Sequence, residues 1–322
     1  MTMMRSQAVR RGLIGFCVGV FLVLGLGVWQ PLHSQETISV EELELTPVDY
    51  PLNPETDRPG NVPDGLTISP LPSEDQRAVI GRDDRVLTTS RAYPWSAVGR
   101  VERYNGRGQL EGWCTGTLIA RSVVLTNAHC VVDTRTNQLT RHEIVFRPNV
   151  IAGRSSDRAK AVSVEYGTNF RDRRIQDDWA VISLDEPLGD YYGELGWIVP
   201  ALERPEVIEL LSNKIHLLGY SSDFPSNAIS HPPGATPGLH QNCSIVGLSS
   251  DNRLVHDCDT NSGASGAALL ARLENGNYII LGIHAGSAQQ ANGSVINYGM
   301  QVDRWKSAAQ EMIENSLRPA AL

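Results

Sequence analysis

The chain has 322 residues, of which 41% are hydrophobic and 20% charged, and its formal net charge is -8. This composition excludes a wholly disordered or fibrous protein, and its 29 Gly and 18 Pro favour a loop-rich domain of short strands over a helical bundle. The negative balance argues against nucleic acid as a partner, because binding a phosphate backbone requires clustered Lys and Arg.

Residues 1–34 have the charged, apolar and polar order of a signal peptide. An apolar run at residues 13–29 follows three arginines, Arg5, Arg10 and Arg11, and precedes a polar stretch. We expect this segment to be removed on export, which predicts a secreted or periplasmic protein. Two alternatives stay open: a signal anchor, because a run of about 17 residues approaches the length that spans a bilayer, and a twin-arginine signal.

Residues 35–77 differ in composition from the rest of the chain. Ten acidic residues stand there against two basic ones, Arg58 and Arg77, and prolines recur throughout. Such a segment buries too little apolar surface to offset its chain entropy, so on its own it should be extended or disordered. We interpret it as a pro-segment or a linker.

Four cysteines remain once Cys17, inside the apolar run, is set aside. An even number suits an oxidising compartment, and pairing by proximity joins Cys114 to Cys130 and Cys243 to Cys258. The alternative is a four-cysteine metal site. The absence of any Cys-x-x-Cys spacing disfavours it, and we therefore expect no metal.

After residue 90, short runs rich in strand-forming residues recur between clusters of Gly, Pro, Asn and Asp, for example at residues 116–127, 179–184 and 278–284. Three Asn-Gly pairs in the same region favour tight hairpins. The pattern predicts an all-β body of antiparallel sheet. Helical spacing of apolar residues occurs only at about residues 303–317, which predicts a C-terminal helix packed on the body.

Three segments carry groups that amide or ester hydrolysis can use, namely an activated hydroxyl, a base and a carboxylate that orients the base. His129 follows a predicted strand, Asp178 begins another, and Ser265 lies in a glycine-flanked turn. Each pattern is common by itself. Their order, with separations of 49 and 87 residues, favours a catalytic triad.

These motifs resemble those of the chymotrypsin-like (trypsin-like) serine proteases, and most of all those of bacterial glutamyl endopeptidases of the V8 type. The resemblance is carried by Cys-Thr-Gly-Thr-Leu-Ile at 114–119, Thr-Asn-Ala-His-Cys at 126–130, Asp-Trp-Ala at 178–180 and Cys-Asp-Thr-Asn-Ser-Gly-Ala-Ser-Gly at 258–266. It extends over roughly residues 78–310.

The resemblance implies a protease domain at residues 78–322, built from two six-stranded antiparallel β-barrels with the active site in the cleft between them. The first barrel would occupy about residues 90–190 and the second about 205–302, followed by the C-terminal helix. The proposed base and carboxylate would then come from one barrel and the nucleophile from the other.

The resemblance also implies a role for each residue. Ser265 would be the nucleophile, His129 the general base and then the general acid, and Asp178 the carboxylate that orients the imidazole. The backbone N–H groups of Gly263 and Ser265 would form the oxyanion hole. Asp177 is the rival carboxylate, but Asp178 directly precedes the apolar strand residues, as in the family.

Activation must differ from that of chymotrypsin itself. Ala264 stands where chymotrypsin has the Asp that pairs with the new amino terminus, so that ion pair cannot form. Cleavage of the zymogen after Arg77 would leave an Ala-Val-Ile-Gly start at residues 78–81, similar to mature enzymes of the resembled group.

Two interpretations of the substrate pocket remain open. Asp259 stands six residues before Ser265, where trypsin-like enzymes place the carboxylate that pairs with Arg or Lys. Thr260 and His284 match positions that glutamyl endopeptidases use to hold a substrate carboxylate, since a hydroxyl and an imidazole both donate hydrogen bonds. We favour acidic substrates.

Together these patterns predict a secreted serine endopeptidase that cleaves proteins or peptides through an acyl-enzyme after Glu or Asp. We expect a monomer without a cofactor, which would contact a membrane only through an uncleaved N-terminal segment. The alternatives are cleavage after Arg, Lys or other residues, a non-catalytic binding protein with a protease fold, and a tethered structural protein held by residues 13–29.

Overall fold

The structure, a computed structural model, describes residues 53, 56–69, 83–172, 175–225, 229–289 and 295–317. The predicted signal peptide, and the parts of the predicted pro-segment at 35–52 and 70–77, lie outside these residues. Among the residues that the structure describes, no helix is long and apolar enough to cross a membrane.

Strands dominate the described chain. They are β1 (Val86–Leu87), β2 (Val98–Tyr104), β3 (Leu110–Ala120), β4 (Val123–Thr126), β5 (Val132–Asp133), β6 (Gln138–Leu139), β7 (Glu143–Pro148), β8 (Ala159–Tyr166), β9 (Ala180–Leu184), β10 (Gly196–Trp197), β11 (Ile215–Gly219), β12 (Gly238–Cys243), β13 (Ile245–Leu248), β14 (Leu254–His256), β15 (Ala268–Arg272), β16 (Tyr278–Gln289) and β17 (Val295–Gln301). The α-helices are α1 (Gly189–Tyr192), α2 (Pro205–Leu210) and α3 (Lys306–Leu317), and 3₁₀ turns lie at Trp95–Ala97, Ala128–Cys130, Phe170–Asp172, Ile175–Asp177 and Val302–Arg304.

Six antiparallel strands close the first barrel in the order β2-β3-β4-β9-β8-β7. Strand β4 is wholly buried and β9 nearly so, although a barrel strand usually shows one face to solvent. The reason is α3, which packs across both strands and buries Ala309, Met312 and Ile313. Strands covered on both sides read as continuous apolar runs, as these two do.

The second unit is a curled sheet in the order β1-β12-β11-β15-β16-β17-β14-β13, with β10 added beside β16. The predicted all-β class with two antiparallel units and a C-terminal helix is confirmed. Among the described residues, however, this unit is an open sheet of nine strands instead of a closed six-stranded barrel. Strands β1 and β10 come from outside the predicted second barrel, and register shifts between neighbouring strands bend the sheet.

A shared apolar core joins the two units. One cluster of buried side chains combines barrel residues such as Leu118 and Val181 with Leu218, Ile283 and Met300 from the sheet. A second cluster lies within the sheet. Because the first cluster includes side chains from both units, the barrel and the sheet pack against each other through it.

The proximity pairing of the cysteines is confirmed, since disulfides join Cys114 to Cys130 and Cys243 to Cys258. Both bonds consume thiols that the alternative metal site would need. The interpretation as a four-cysteine metal site is therefore wrong.

Residues 56–69 lie against the body and turn once, at Pro63–Leu66. Isolated bridges pair Arg58 with Trp197, Asn61 with Glu194 and Ile68 with Tyr93. The composition predicts an extended or disordered segment when it is on its own, and it does not indicate this pairing with the body.

Candidate active site

His129 and Asp178 meet because the strands beside them are paired. His129 lies in the 3₁₀ turn directly after β4, Asp178 stands two residues before β9, and Thr126 of β4 pairs with Ala180 of β9. His129 Nδ1 lies 2.7 Å from Asp178 Oδ2, and the His129 backbone N–H donates to Asp178 Oδ1 at 2.9 Å. A carboxylate in this position holds the proton on Nδ1 and leaves Nε2 free to accept one.

The rival carboxylate, Asp177, takes part in a different contact. Its Oδ1 accepts a hydrogen bond from Arg304 Nη1 at 3.2 Å, just before the C-terminal helix. Asn127 Nδ2 meanwhile donates to the backbone carbonyl of Asp178 at 2.6 Å, which fixes that residue beside the histidine. The structure thus pairs His129 with Asp178.

Ser265 lies in the loop between β14 and β15, and this loop is hydrogen-bonded to the barrel. The Thr115 N–H donates to the Ser265 carbonyl and the Thr115 hydroxyl to the Gly263 carbonyl, each at 2.9 Å. A Cβ on Gly266 would overlap the side chain of Thr126, three residues before His129. The serine loop therefore contacts the same strands, β3 and β4, that position His129.

Two backbone N–H groups of the serine loop stand out from their neighbours. Those of Ala264, Gly266 and Ala267 each donate a hydrogen bond, to Asn261, His284 and Ala264 respectively. Among the described residues, those of Gly263 and Ser265 donate none. The two donors predicted for the oxyanion hole are the ones left open.

A pocket of about 260 Å³ opens beside Ser265. Its lining consists of Thr260, Asn261, Ser262, Ser265, His284, Gly286 and Ser287. Both predicted substrate-binding residues, Thr260 and His284, therefore line the same pocket as the predicted nucleophile. The lining is polar and lacks an acidic side chain among the described residues.

Asp259 contacts residues outside this pocket. Its Oδ2 accepts the Asp84 backbone N–H at 2.9 Å and lies 3.4 Å from His240 Nδ1. Burial raises the pKa of Asp259, which makes its charged form less favourable than on a surface. A carboxylate held in this way is poorly placed to pair with a basic substrate side chain.

His284 is supported from behind by a second buried imidazole. His284 Nδ1 lies 3.0 Å from His256 Nε2, and the ring planes are nearly perpendicular. Burial, with a smaller electrostatic contribution from the neighbouring His129, lowers the pKa of His284 to about 3. Burial also holds the pKa of His256 well below its usual range. Both rings are therefore neutral at neutral pH.

Several known proteins resemble this chain in sequence or in fold. Residues 86–207 match the trypsin family. The structure of a Glu endopeptidase in complex with MPD superimposes with a TM-score of 0.57 at 23% identity, covering 74% of this chain and 100% of that one. Protease Anisep from Arthrobacter nicotinovorans superimposes with a TM-score of 0.51 at 16% identity, covering 70% of this chain and 98% of that one.

This chain has the chymotrypsin-like serine protease fold. The resemblance stated from its motifs is thereby confirmed, and a glutamyl endopeptidase is among its structural neighbours. Among curated proteins, Serine protease 23 of Bos taurus is 26% identical over 186 residues, which cover 51% of this chain and 45% of the relative. Serine protease 23 of Homo sapiens is 27% identical over 187 residues, covering 51% and 44%. The match thus spans less than half the length of these relatives.

Within this protease fold, Trp113 is a residue that the motifs did not single out. Its indole N–H donates to the Tyr220 carbonyl at 2.8 Å, and a Cβ on Gly263 would lie 2.7 Å from the indole nitrogen. The Arg100 guanidinium covers the ring, 4.4 Å from its centre. Trp113 therefore packs behind the part of the serine loop that contains Gly263. The signal available in the sequence was its place directly before Cys114.

The described part of the chain contains three groupings of possible metal ligands. Two groupings, around Cys114 with Cys130 and around Cys243 with Cys258, contain disulfide sulfurs. The third joins Asp84, His240 and Asp259, but the Asp259 N–H already donates to His240 Nδ1 at 2.6 Å. That lone pair is occupied, so we assign no metal here.

Proposed function

We propose that this protein is a serine endopeptidase that cleaves peptide bonds through an acyl-enzyme, with Ser265, His129 and Asp178 as its catalytic residues. The observation that carries the proposal is the hydrogen-bonded pair of His129 and Asp178 at the barrel end that holds the serine loop. The trypsin-family match and the protease fold support a hydrolase of peptides or proteins.

In the proposed reaction, the Ser265 hydroxyl attacks the substrate carbonyl carbon and His129 Nε2 takes its proton. Asp178 stabilises the imidazolium that forms, and the open N–H groups of Gly263 and Ser265 donate to the developing oxyanion. The C–N bond then breaks, and His129 gives its proton to the departing amine. Water, deprotonated by the same imidazole, releases the acyl group and restores Ser265.

Substrates with Glu or Asp before the scissile bond suit the pocket best. In the proposed arrangement, His256 Nε2–H donates to His284 Nδ1, and the remaining proton of His284, on Nε2, faces the substrate carboxylate together with the Thr260 hydroxyl. A bound substrate carboxylate also favours the imidazolium form of His284. It therefore raises the pKa of His284, which burial had lowered. The engagement of Asp259 with Asp84 and His240 weighs against basic substrates.

An activity-based experiment tests the catalytic proposal. A fluorophosphonate probe, which reacts with activated serines, should label the wild-type protein and leave Ser265→Ala unlabelled. Ser262→Ala is the matched control, because Ser262 lines the same pocket three residues away and should not alter labelling. Equal labelling of Ser265→Ala and wild type would contradict the proposal, and an unlabelled wild type would favour a non-catalytic binding protein.

Cleavage profiling with a peptide library tests the substrate class separately. We expect cuts after Glu and Asp. Cuts after Arg or Lys would overturn the roles proposed for Thr260 and His284 while leaving the triad intact.

Export and processing form part of the proposal. Two disulfides support an oxidising destination outside the cytoplasm, and we propose a secreted or periplasmic monomer. Removal of residues 1–34 and cleavage after Arg77 are proposed from the sequence. The masses of the chains in the exported protein, measured intact, test both cuts, since an intact Met1 would contradict the first.

A further inference from the structure

Residues 56–69, called here the strap, pair with the body through main-chain hydrogen bonds at three places. Arg58 and Trp197 exchange two bonds, each 2.8 Å long, and so do Asn61 and Glu194. Tyr93 donates to the Thr67 carbonyl at 2.8 Å and accepts from the Ser69 N–H at 2.6 Å. At these three places the strap pairs as an added strand would, and a turn at Pro63–Leu66 separates the second place from the third.

Two charged side chains near the start of the strap, those of Asp57 and Arg58, add specific contacts with the body. The Arg58 guanidinium donates to the Ile119 carbonyl, lies 3.3 Å from Glu194 Oε2 and sits 5.6 Å from the centre of the Trp197 ring. Asp57 Oδ1 accepts the Val199 N–H at 3.0 Å. These contacts require the register observed, because a shift by one residue would point the two charged side chains the other way.

The body surface under the strap is shaped for close approach. A Cβ on Gly196 would overlap three backbone atoms of the strap, namely the Arg58 carbonyl oxygen, the Pro59 carbonyl carbon and the Gly60 nitrogen. Only glycine therefore fits between the strap and the body at this position. Trp197, fully buried beneath the strap, stacks edge-on against Trp305 with the ring centres 5.2 Å apart. The strap thus completes the cover of an aromatic cluster that reaches the C-terminal helix.

The docking face lies on the connection between the two halves of the fold. Residues 194–199 link the first barrel, which ends with β9, to the curled sheet, where β10 pairs with β16. The strap thus buries the segment that joins the barrel to the sheet.

We propose that the strap stays bound to the mature protein after the chain is cut between the strap and Asp83. After this cut no covalent bond joins the two, and the docking contacts alone hold the strap in place. The proposed cleavage after Arg77 would then yield two chains that stay together, instead of shedding the acidic segment. Whatever is covalently attached before residue 56 would stay with the body too. This retention rests on the docking contacts and on the proposed cleavage after Arg77, and it does not require Ser265 to be catalytic.

The test uses the full chain in a Ser265→Ala background, with residues 72–77 replaced by the recognition sequence of a highly specific protease. After complete cutting, size-exclusion chromatography in native buffer and intact mass measurement should find both fragments in one peak at a 1:1 ratio. Denaturant should separate them. Elution of the strap fragment apart from the body in native buffer would overturn the proposal.

Matched substitutions show whether the observed contacts hold the fragment. Asp57→Ala combined with Arg58→Ala should increase the dissociation rate of the cut fragment at least 10-fold. Asp64→Ala, an exposed acidic residue in the same strap, should leave the rate within two-fold of wild type. Equal rates for the double variant and the Asp64 variant would contradict the proposal.

Hydrogen exchange on the cut protein supplies a readout that does not need a variant. The backbone N–H groups of Arg58, Asn61 and Trp197 should keep the protection they have in the uncut chain. Exchange of Arg58 and Asn61 at the rate of an unstructured peptide after the cut would overturn the proposal.

Discussion

His129 contacts Asp178 twice, through its ring nitrogen Nδ1 at 2.7 Å and through its backbone N–H at 2.9 Å, and each bond uses a different carboxylate oxygen. The main chain of His129 therefore helps to orient the Asp178 carboxylate, which in turn binds the His129 ring. Because both of its oxygens are bound, the Asp178 carboxylate stays oriented towards Nδ1 and favours the His129 tautomer that carries its proton there.

Asp178→Asn tests that relationship. An amide can keep the shape of the contact but favours the wrong imidazole tautomer, so kcat should fall by about 10⁴ while the melting temperature changes little. Asp177→Asn, which alters the neighbouring contact with Arg304, is the control and should keep kcat within a few-fold of wild type. Steady-state kinetics on a Glu-containing peptide measure both. Similar losses in the two variants would contradict the assignment of Asp178.

Gly263→Ala tests the oxyanion hole. Gly263 has a φ of +93°, and its added Cβ would meet Trp113 at 2.7 Å, so the loop must shift. Losing an oxyanion donor costs roughly 100- to 1000-fold in kcat, and we expect a loss of that order with a smaller change in KM. Gly106→Ala, where a Cβ meets no atom within 4 Å, should have no effect on kcat. An unchanged kcat in Gly263→Ala would exclude the proposed role of this loop.

Thr260→Val tests the pocket with a side chain of nearly the same shape. The substitution removes a hydroxyl that would donate to a substrate carboxylate, and a hydrogen bond to a charged group contributes about 1.5–3 kcal/mol. We therefore expect kcat/KM for a Glu substrate to fall roughly 10- to 100-fold, and that for its Gln analogue to fall less. Asp259→Asn should leave kcat/KM unchanged for both the Glu substrate and its Gln analogue. A large effect of Asp259→Asn on cleavage after Arg or Lys would instead favour the basic pocket.

Acid should destabilise the protein through its buried histidines. Burial lowers the pKa of His216 to about 3, whereas the unfolded chain binds the same proton with a pKa near 6.5. Well above pH 6.5, His216 is neutral in both the folded and the unfolded chain, so it does not change the free energy of unfolding. As pH falls from 6.5 towards 3, the unfolded state binds more protons, so the free energy of unfolding decreases by roughly 1–2 kcal/mol by pH 5.

Urea unfolding of wild type and His216→Gln at pH 7 and pH 5 measures this loss. The variant should be less stable at pH 7 because it perturbs the core, but its stability should fall less between the two values. Leu217→Val, at the equally buried neighbouring position, perturbs the core without removing a titratable group and should keep the wild-type pH dependence. A parallel fall in wild type and His216→Gln would show that this histidine is not the cause.

The sequence alone was informative where chemistry and local structure coincide. The residues later found as the His129–Asp178 pair were predicted from a strand end, a strand start and their order along the chain, and the disulfides from proximity. These features are local, because the strand propensity, the turn residues and the reactive group all lie within a few positions of one another. The all-β class and the terminal helix were predictable for the same reason.

Tertiary structure decided which side chains face each other across long separations in the chain. Nothing near Asp259 indicates that its carboxylate turns to Asp84 and His240, nor does anything near Trp113 indicate that it supports Gly263. The strap is the clearest case, since its composition predicts too little burial for folding by itself. It is ordered because the body supplies the partner backbone and the apolar surface that its own residues lack.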